Sequence, residues 1–307
     1  MAPAFAVSRG ALLRGRDAPG KSRRFRAALL LLAPLLTAWT TAAEAARVFI
    51  EVRTPGGVEQ KVVLGRPAGL AADRPVVFVM HGAGRDVGAE FDRWYGLAKE
   101  RDFLLVLPEF SAEAFPGANG YSLGNVHDAQ GRVRPRSTWS FEAIEAIFDD
   151  LRQRFGMTAE GYAVYGHAAG AQFVQRFLLH VPGARVTGAV AANAGWYTMP
   201  DFAVGWPYGL QDSAVSEEHL RRALQVPLTI LLGAGDSNPD DPGLRRTPPA
   251  LAQGPDRVAR GHAFFDAGRA AAAERGIPFG WRLAVVPDSA HDPDRMAPAA
   301  VPYLLQP

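Results

Sequence analysis

Gly166-His167-Ala168-Ala169-Gly170 joins two stretches of opposite character. Before it, Tyr162 to Tyr165 is an apolar, β-prone run; after it, about Ala169 to Leu179 reads as a helix. A glycine at each end of the five residues permits a very tight turn, because a residue without Cβ tolerates close backbone approach. The middle residue of the five is Ala168.

Working outward, the pattern of strand followed by helix repeats. Val76 to Met80 is a continuous apolar run, as expected of a parallel strand buried on both faces, and it ends in His81-Gly82-Ala83-Gly84. A helix at about Ala89 to Lys99 leads to a strand at Phe103 to Leu107. Ile144, Ile147, Phe148 and Leu151 recur at helical spacing before Gly156. After the central turn come a strand at Val186 to Ala192, a short helix at Glu217 to Leu224 and a strand at Leu228 to Leu232. That strand runs into Gly233-Ala234-Gly235-Asp236. A long helix at Arg257 to Arg275, a last strand at Trp281 to Val286 and a loop holding His291 complete the series. At the other end, Val48 to Val52 and Gln60 to Leu64 flank Thr54-Pro55-Gly56-Gly57 as an antiparallel hairpin. The alternation predicts an α/β fold with a mostly parallel, doubly wound sheet and helices on both faces. Ligands of such sheets bind beyond the carboxyl ends of the strands.

Two irregular stretches are rich in aromatic residues, Phe110 to Arg136 and Asn193 to Leu210. Loops this long in a compact domain tend to be functional. Tyr121, Trp196 and Tyr197 are therefore candidates to line a cleft for an apolar or aromatic ligand group, with packing of the loops onto the sheet as the alternative.

With 307 residues, 48% of them hydrophobic, the chain can bury a core as one large domain. Seven basic residues against two acidic ones lie in the stretch ending at Ala45. Removing that +5 from the whole-chain +2 leaves −3, so the body has no electrostatic reason to bind nucleic acid. The same stretch runs from arginine-rich residues through an apolar segment, Ala27 to Trp39, to Ala43-Glu44-Ala45. Its order predicts a secretory signal peptide over 1–45, ahead of a domain over 46–307, and hence export to the periplasm or medium. The apolar segment, interrupted by Pro34, is too short for a stable membrane anchor. There is no cysteine, which excludes disulfides, thiolate metal sites and a cysteine nucleophile. Gly82-Ala83-Gly84 lacks the glycine spacing and lysine of a phosphate loop, and Asp236 to Asp241 lacks the glycine and glutamate of a calcium loop. Neither a metal nor a nucleotide cofactor is implied.

His81-Gly82-Ala83-Gly84, the run Tyr165 to Phe173, the run Gly235 to Asp240 and the region of His291 together resemble the α/β-hydrolases. The likeness is to the secreted esterase group that includes poly(3-hydroxybutyrate) depolymerases and feruloyl-esterase-like proteins. It covers the chain from about Val48 to its end. In that family the central turn is a nucleophile elbow, GxSxG, and nucleophile, acid and histidine follow in chain order on loops after strands. The resemblance implies Ala168, Asp236 and His291 at those positions, with His291 as base and Asp236 orienting it. Asp240 and Asp241 remain alternatives for the acid. Backbone N–H groups of Ala169 and of Ala83 or Gly84 would form the oxyanion hole. His167 is expected to point away from the site, and Ser237 and Ser289 sit on the acid and base loops rather than opposite His291.

The family's pattern places serine where this chain has Ala168. Alanine offers no nucleophile, so the implied activity is that of a carboxylic-ester hydrolase scaffold, nearly inert as written. The alternative is a non-catalytic protein that holds an ester, polyester fragment or lipid-like ligand in the same pocket. The expected partner is thus a small-molecule or polymeric ester.

Overall fold

The computed structural model describes residues 46–66, 68–69 and 71–306. All of the described residues belong to one compact unit. The expected signal peptide lies outside the described residues.

Eight strands form one sheet: β1 (Ala46–Arg53), β2 (Glu59–Arg66), β3 (Val76–Met80), β4 (Leu104–Pro108), β5 (Tyr162–His167), β6 (Val186–Ala192), β7 (Leu228–Gly233) and β8 (Arg282–Val286). Their spatial order is β1-β2-β4-β3-β5-β6-β7-β8. The first hairpin pairs antiparallel and joins β4 antiparallel, while every pair from β4 to β8 is parallel.

The helices are α1 (Val87–Arg101), α2 (Gly117–Gly120), α3 (Glu142–Phe155), α4 (Ala169–His180), α5 (Glu217–Ala223), α6 (Pro248–Leu251), α7 (Arg257–Glu274) and α8 (Pro293–Leu304). Alternate residues of each buried strand feed two separate cores. Phe78 and Met80 of β3 pack with Ile144 of α3, Phe173 of α4 and Phe264 of α7 on one face. Val77 and Val79 pack with Trp94 of α1 and Met296 of α8 on the other. A strand buried on both sides must be apolar at every position, which is why β3 reads as an unbroken hydrophobic run.

The stretch Phe110 to Arg136 is largely irregular, as its sequence suggests, and Phe110, Tyr121 and Val126 within it are buried in the first core. Helix α8 is an element that sequence periodicity does not announce, because it contains Pro298 and Pro302. Proline removes a backbone donor and disfavours helix interiors. Here burial of Met296, Ala297, Ala300, Val301 and Leu304 against the sheet outweighs that cost.

Candidate active site

The turn after β5 has the geometry that its glycines foreshadow. Ala168 sits at φ 52°, ψ −108°, a conformation that a residue with Cβ adopts only under constraint. A Cβ on Gly166 would lie 2.1 Å from the carbonyl carbon of Gly170, and one on Gly170 would lie 2.2 Å from the carbonyl oxygen of Met80. The elbow helix can therefore approach β3 and β5 this closely only because both residues are glycine. The backbone N–H of Ala168 donates to Ala192 O at 3.0 Å, which fixes the elbow to the neighbouring strand.

Asp236 and His291 leave the carboxyl ends of β7 and β8, two adjacent parallel strands. They meet, with His291 Nδ1 2.7 Å from Asp236 Oδ2. Asp236 is 5% exposed and His291 32%, so the carboxylate is sequestered while the imidazole keeps an open edge. The other oxygen, Oδ1, accepts from Arg257 Nη1 at 3.0 Å, and Nη2 of the same guanidinium reaches Asp241 Oδ1 at 3.0 Å. Of the three candidate carboxylates, Asp236 is the one that touches His291. Asp241 braces the arginine, whose hydrogen bonds hold its carboxyl below the usual range, and Asp240 is exposed beside Arg246.

His167 does not point away from this group. Its ring lies 4.5 Å, centre to centre, from that of His291, and burial, with a smaller contribution from the nearby His291, pushes its pKa down to about 3. Its Nε2 faces the Asn193 amide at 3.4 Å.

The turn after β3 stands next to the elbow because β3 and β5 are neighbours. Among the described residues, the N–H groups of Ala83, Gly84 and Ala169 find no backbone acceptor. His81 holds the turn in place: its buried ring accepts from Phe110 N at 3.1 Å through Nε2, so Nδ1 carries the proton and donates to Gly82 O at 3.1 Å. Burial lowers its pKa to about 4, so it is neutral at pH 7.

Of the two readings open for the three loop aromatics, packing onto the body of the domain is the one seen: all are buried. Tyr121 stacks on His81 at 4.5 Å and donates its hydroxyl proton to His81 O at 2.6 Å, bracing the turn after β3. Tyr197 stacks on Phe264 at 4.5 Å. Trp196 packs against Tyr208, with the guanidiniums of Arg176 and Arg245 4.1 and 4.8 Å from its ring centre. Aromatic residues in long loops gain more from covering the sheet than from exposure.

Arg257, Asn193 and His167 are the members of this site that sequence reasoning did not place there. Arg257 opens α7 like any helical arginine, and no local pattern marks it. Among the described residues no group of three or more His, Asp or Glu side chains is arranged to hold a metal ion.

No protein-family model and no curated protein matches the chain. Solved structures do. Poly(aspartic acid) hydrolase-1 from Sphingomonas sp. KT-1 is 40% identical over 86% of this chain and all of its own, with a TM-score of 0.83. LpqC, a poly(3-hydroxybutyrate) depolymerase from Bordetella parapertussis, is 37% identical over 84% of this chain and 90% of its own, with a TM-score of 0.80. An S-formylglutathione hydrolase from Agrobacterium tumefaciens, at 16% identity and a TM-score of 0.55 over 85% of this chain and 93% of its own, shares the fold. With an elbow, a buried carboxylate and a histidine in that order after β5, β7 and β8, and with two relatives of this identity, the chain belongs to the α/β-hydrolase family of esterases and depolymerases.

Proposed function

We propose that this chain is an exported acyl-hydrolase scaffold of the Ser-Asp-His type whose nucleophile position is occupied by Ala168. The observation that supports it is the 2.7 Å contact of His291 with Asp236, on loops flanking an elbow that keeps its strained backbone without a serine. In this reading Asp236 accepts from Nδ1–H of His291, which fixes the tautomer and leaves Nε2 free to take a proton from a nucleophile. The N–H groups of Ala169 and of Ala83 or Gly84 meet the oxyanion. With alanine at 168 there is no hydroxyl to deprotonate, no acyl-enzyme forms, and binding is what remains.

The ligand is an acyl compound, a carboxylic ester or a polymer. One 37% identical relative is a poly(3-hydroxybutyrate) depolymerase and the 40% identical one a poly(aspartic acid) hydrolase, so both a polyester and a polyanion are candidates.

The test compares the chain with its Ala168→Ser variant on short-chain p-nitrophenyl esters and on poly(aspartic acid), with a fluorophosphonate label. Turnover and labelling by the serine variant alone support a disarmed hydrolase. Fast turnover by the chain as it stands overturns the assignment of position 168. If both are folded and neither reacts, a binding protein using the same pocket is the better reading.

A further inference from the structure

Asn193, just beyond the end of β6, touches His167 at the elbow, the end of β7 that leads to Asp236, and the loop that carries His291. It is fully buried and adopts φ 49°, the left-handed region in which asparagine is among the few residues at ease. Its Oδ1 accepts from Gly233 N at 2.8 Å. Its Nδ2 donates to Ala290 O at 2.9 Å and faces His167 Nε2 at 3.4 Å. Gly233 ends β7, three residues before Asp236; Ala290 immediately precedes His291; His167 immediately precedes Ala168. The partners also fix which way the amide points, since an N–H must meet its oxygen and a carbonyl its nitrogen.

We propose that Asn193 is a positioning residue, whose one amide sets the height and orientation of the His291 imidazole over the elbow. This rests on the role given to His291 above.

The geometry leaves His291 little else to set its place. Its Nδ1 is held by Asp236, and one face of its ring lies against His167. Both supports are tied to the same amide, through Gly233 and directly. A Cβ on Gly233 would lie 2.3 Å from Ala290 O, so the acid and histidine loops already touch, and Asn193 fills the remaining corner. The contact with Asn193 also selects the His167 tautomer with the proton on Nδ1 and a lone pair on Nε2. Around His167 the charged and titratable groups are His291, Arg93 of α1 and Arg257 of α7. Burial first, and then these groups, oppose a positive charge, so His167 stays neutral and acts as a wall beside His291 rather than as a second cation. Aspartate at 193 would keep the acceptor for Gly233 but face Ala290 O and the His167 lone pair with oxygen. Alanine would lose all three contacts.

The test uses the full folded chain in two arms. In the chain with Ala168, imidazole 15N and 1H NMR follows the Nδ1–H of His291 that Asp236 holds. Asn193→Ala is expected to broaden or lose that low-field proton, with near-UV circular dichroism unchanged. In the Ala168→Ser background, Asn193→Ala and Asn193→Asp are expected to lower kcat 10- to 100-fold with KM within 3-fold. A folded Asn193→Ala with an unaltered His291 signal overturns the proposal, as does unaltered kcat in an active serine background. An inactive Ala168→Ser parent counts against the assignment of position 168 and leaves the NMR arm to decide on Asn193. If Asn193→Ala does not fold, His167→Phe keeps an aromatic ring beside His291 and deletes the nitrogen that Asn193 meets. It must reproduce the His291 change, or the proposal fails.

Discussion

Arg257 holds Asp236 from the side opposite His291, Nη1 to Oδ1 at 3.0 Å, and both side chains are almost fully buried, at 6% and 5% exposure. A buried ion pair contributes little net stability, but removing one partner strands the other without water. Arg257→Met is therefore expected to cost about 3–5 kcal/mol, read as a fall in the denaturant midpoint. Asp241→Asn leaves the Arg257 contact with Asp236 in place and should cost far less.

In an Ala168→Ser background the two groups should differ in weight. His291→Ala is expected to remove on the order of 10⁶ in turnover and Asp236→Asn about 10⁴, by analogy with serine hydrolases generally. Single-turnover assays on an activated ester measure both. Equal turnover by the His291→Ala variant would dismiss it as the base.

The backbone at residue 168 is strained with no side-chain function in return. Ala168→Gly is expected to raise stability by about 1 kcal/mol, the relief of the φ 52° conformation less the added freedom of the unfolded glycine. Thermal or urea unfolding decides it.

Glycines in the two turns should respond in opposite ways. Gly170→Ala drives a methyl into the Met80 carbonyl and is expected to cost about 3 kcal/mol or more, while Gly84→Ala meets open space and should stay within about 0.5 kcal/mol. Comparable unfolding midpoints for both variants would contradict the packing of α4 on β3.

Acid should destabilise the fold earlier than carboxylate titration requires. Burial lowers the pKa of His81 to about 4 and of His167 and His180 to about 3, against 6.5 for an exposed imidazole. The unfolded chain then binds protons first, so stability is full above pH 6.5 and declines as pH falls towards 3–4. Each histidine contributes up to about 1.4 kcal/mol per pH unit within that window. The loss between pH 7 and pH 5 is expected to shrink by roughly 2 kcal/mol in His180→Gln, measured as the change in urea stability between the two pH values.

The central strands were legible because β3, β4 and β7 are buried throughout and β6 from Gly188 onward, so an apolar run alone marks them. The observed β3 and β6 have the ends read from the sequence. Helix α8 was not legible: its apolar spacing is interrupted by Pro298 and Pro302, and it is held by a sheet face that exists only after the strands assemble. The burial of Tyr121, Trp196 and Tyr197 has the same origin, since loop position says nothing about what lies beneath.

The sequence by itself determined the elbow, the alternation of strand and helix, the chain order of residue 168, Asp236 and His291, and the absence of a hydroxyl at 168. These depend on residue identity and local spacing. Only the tertiary structure decided that Asp236, and not Asp240 or Asp241, meets His291, that Arg257 braces it, and that Asn193 and His167 stand behind the imidazole. The hydrogen bonds among them join residues 21 to 97 positions apart, and pairings between strand ends leave no periodic mark in the chain.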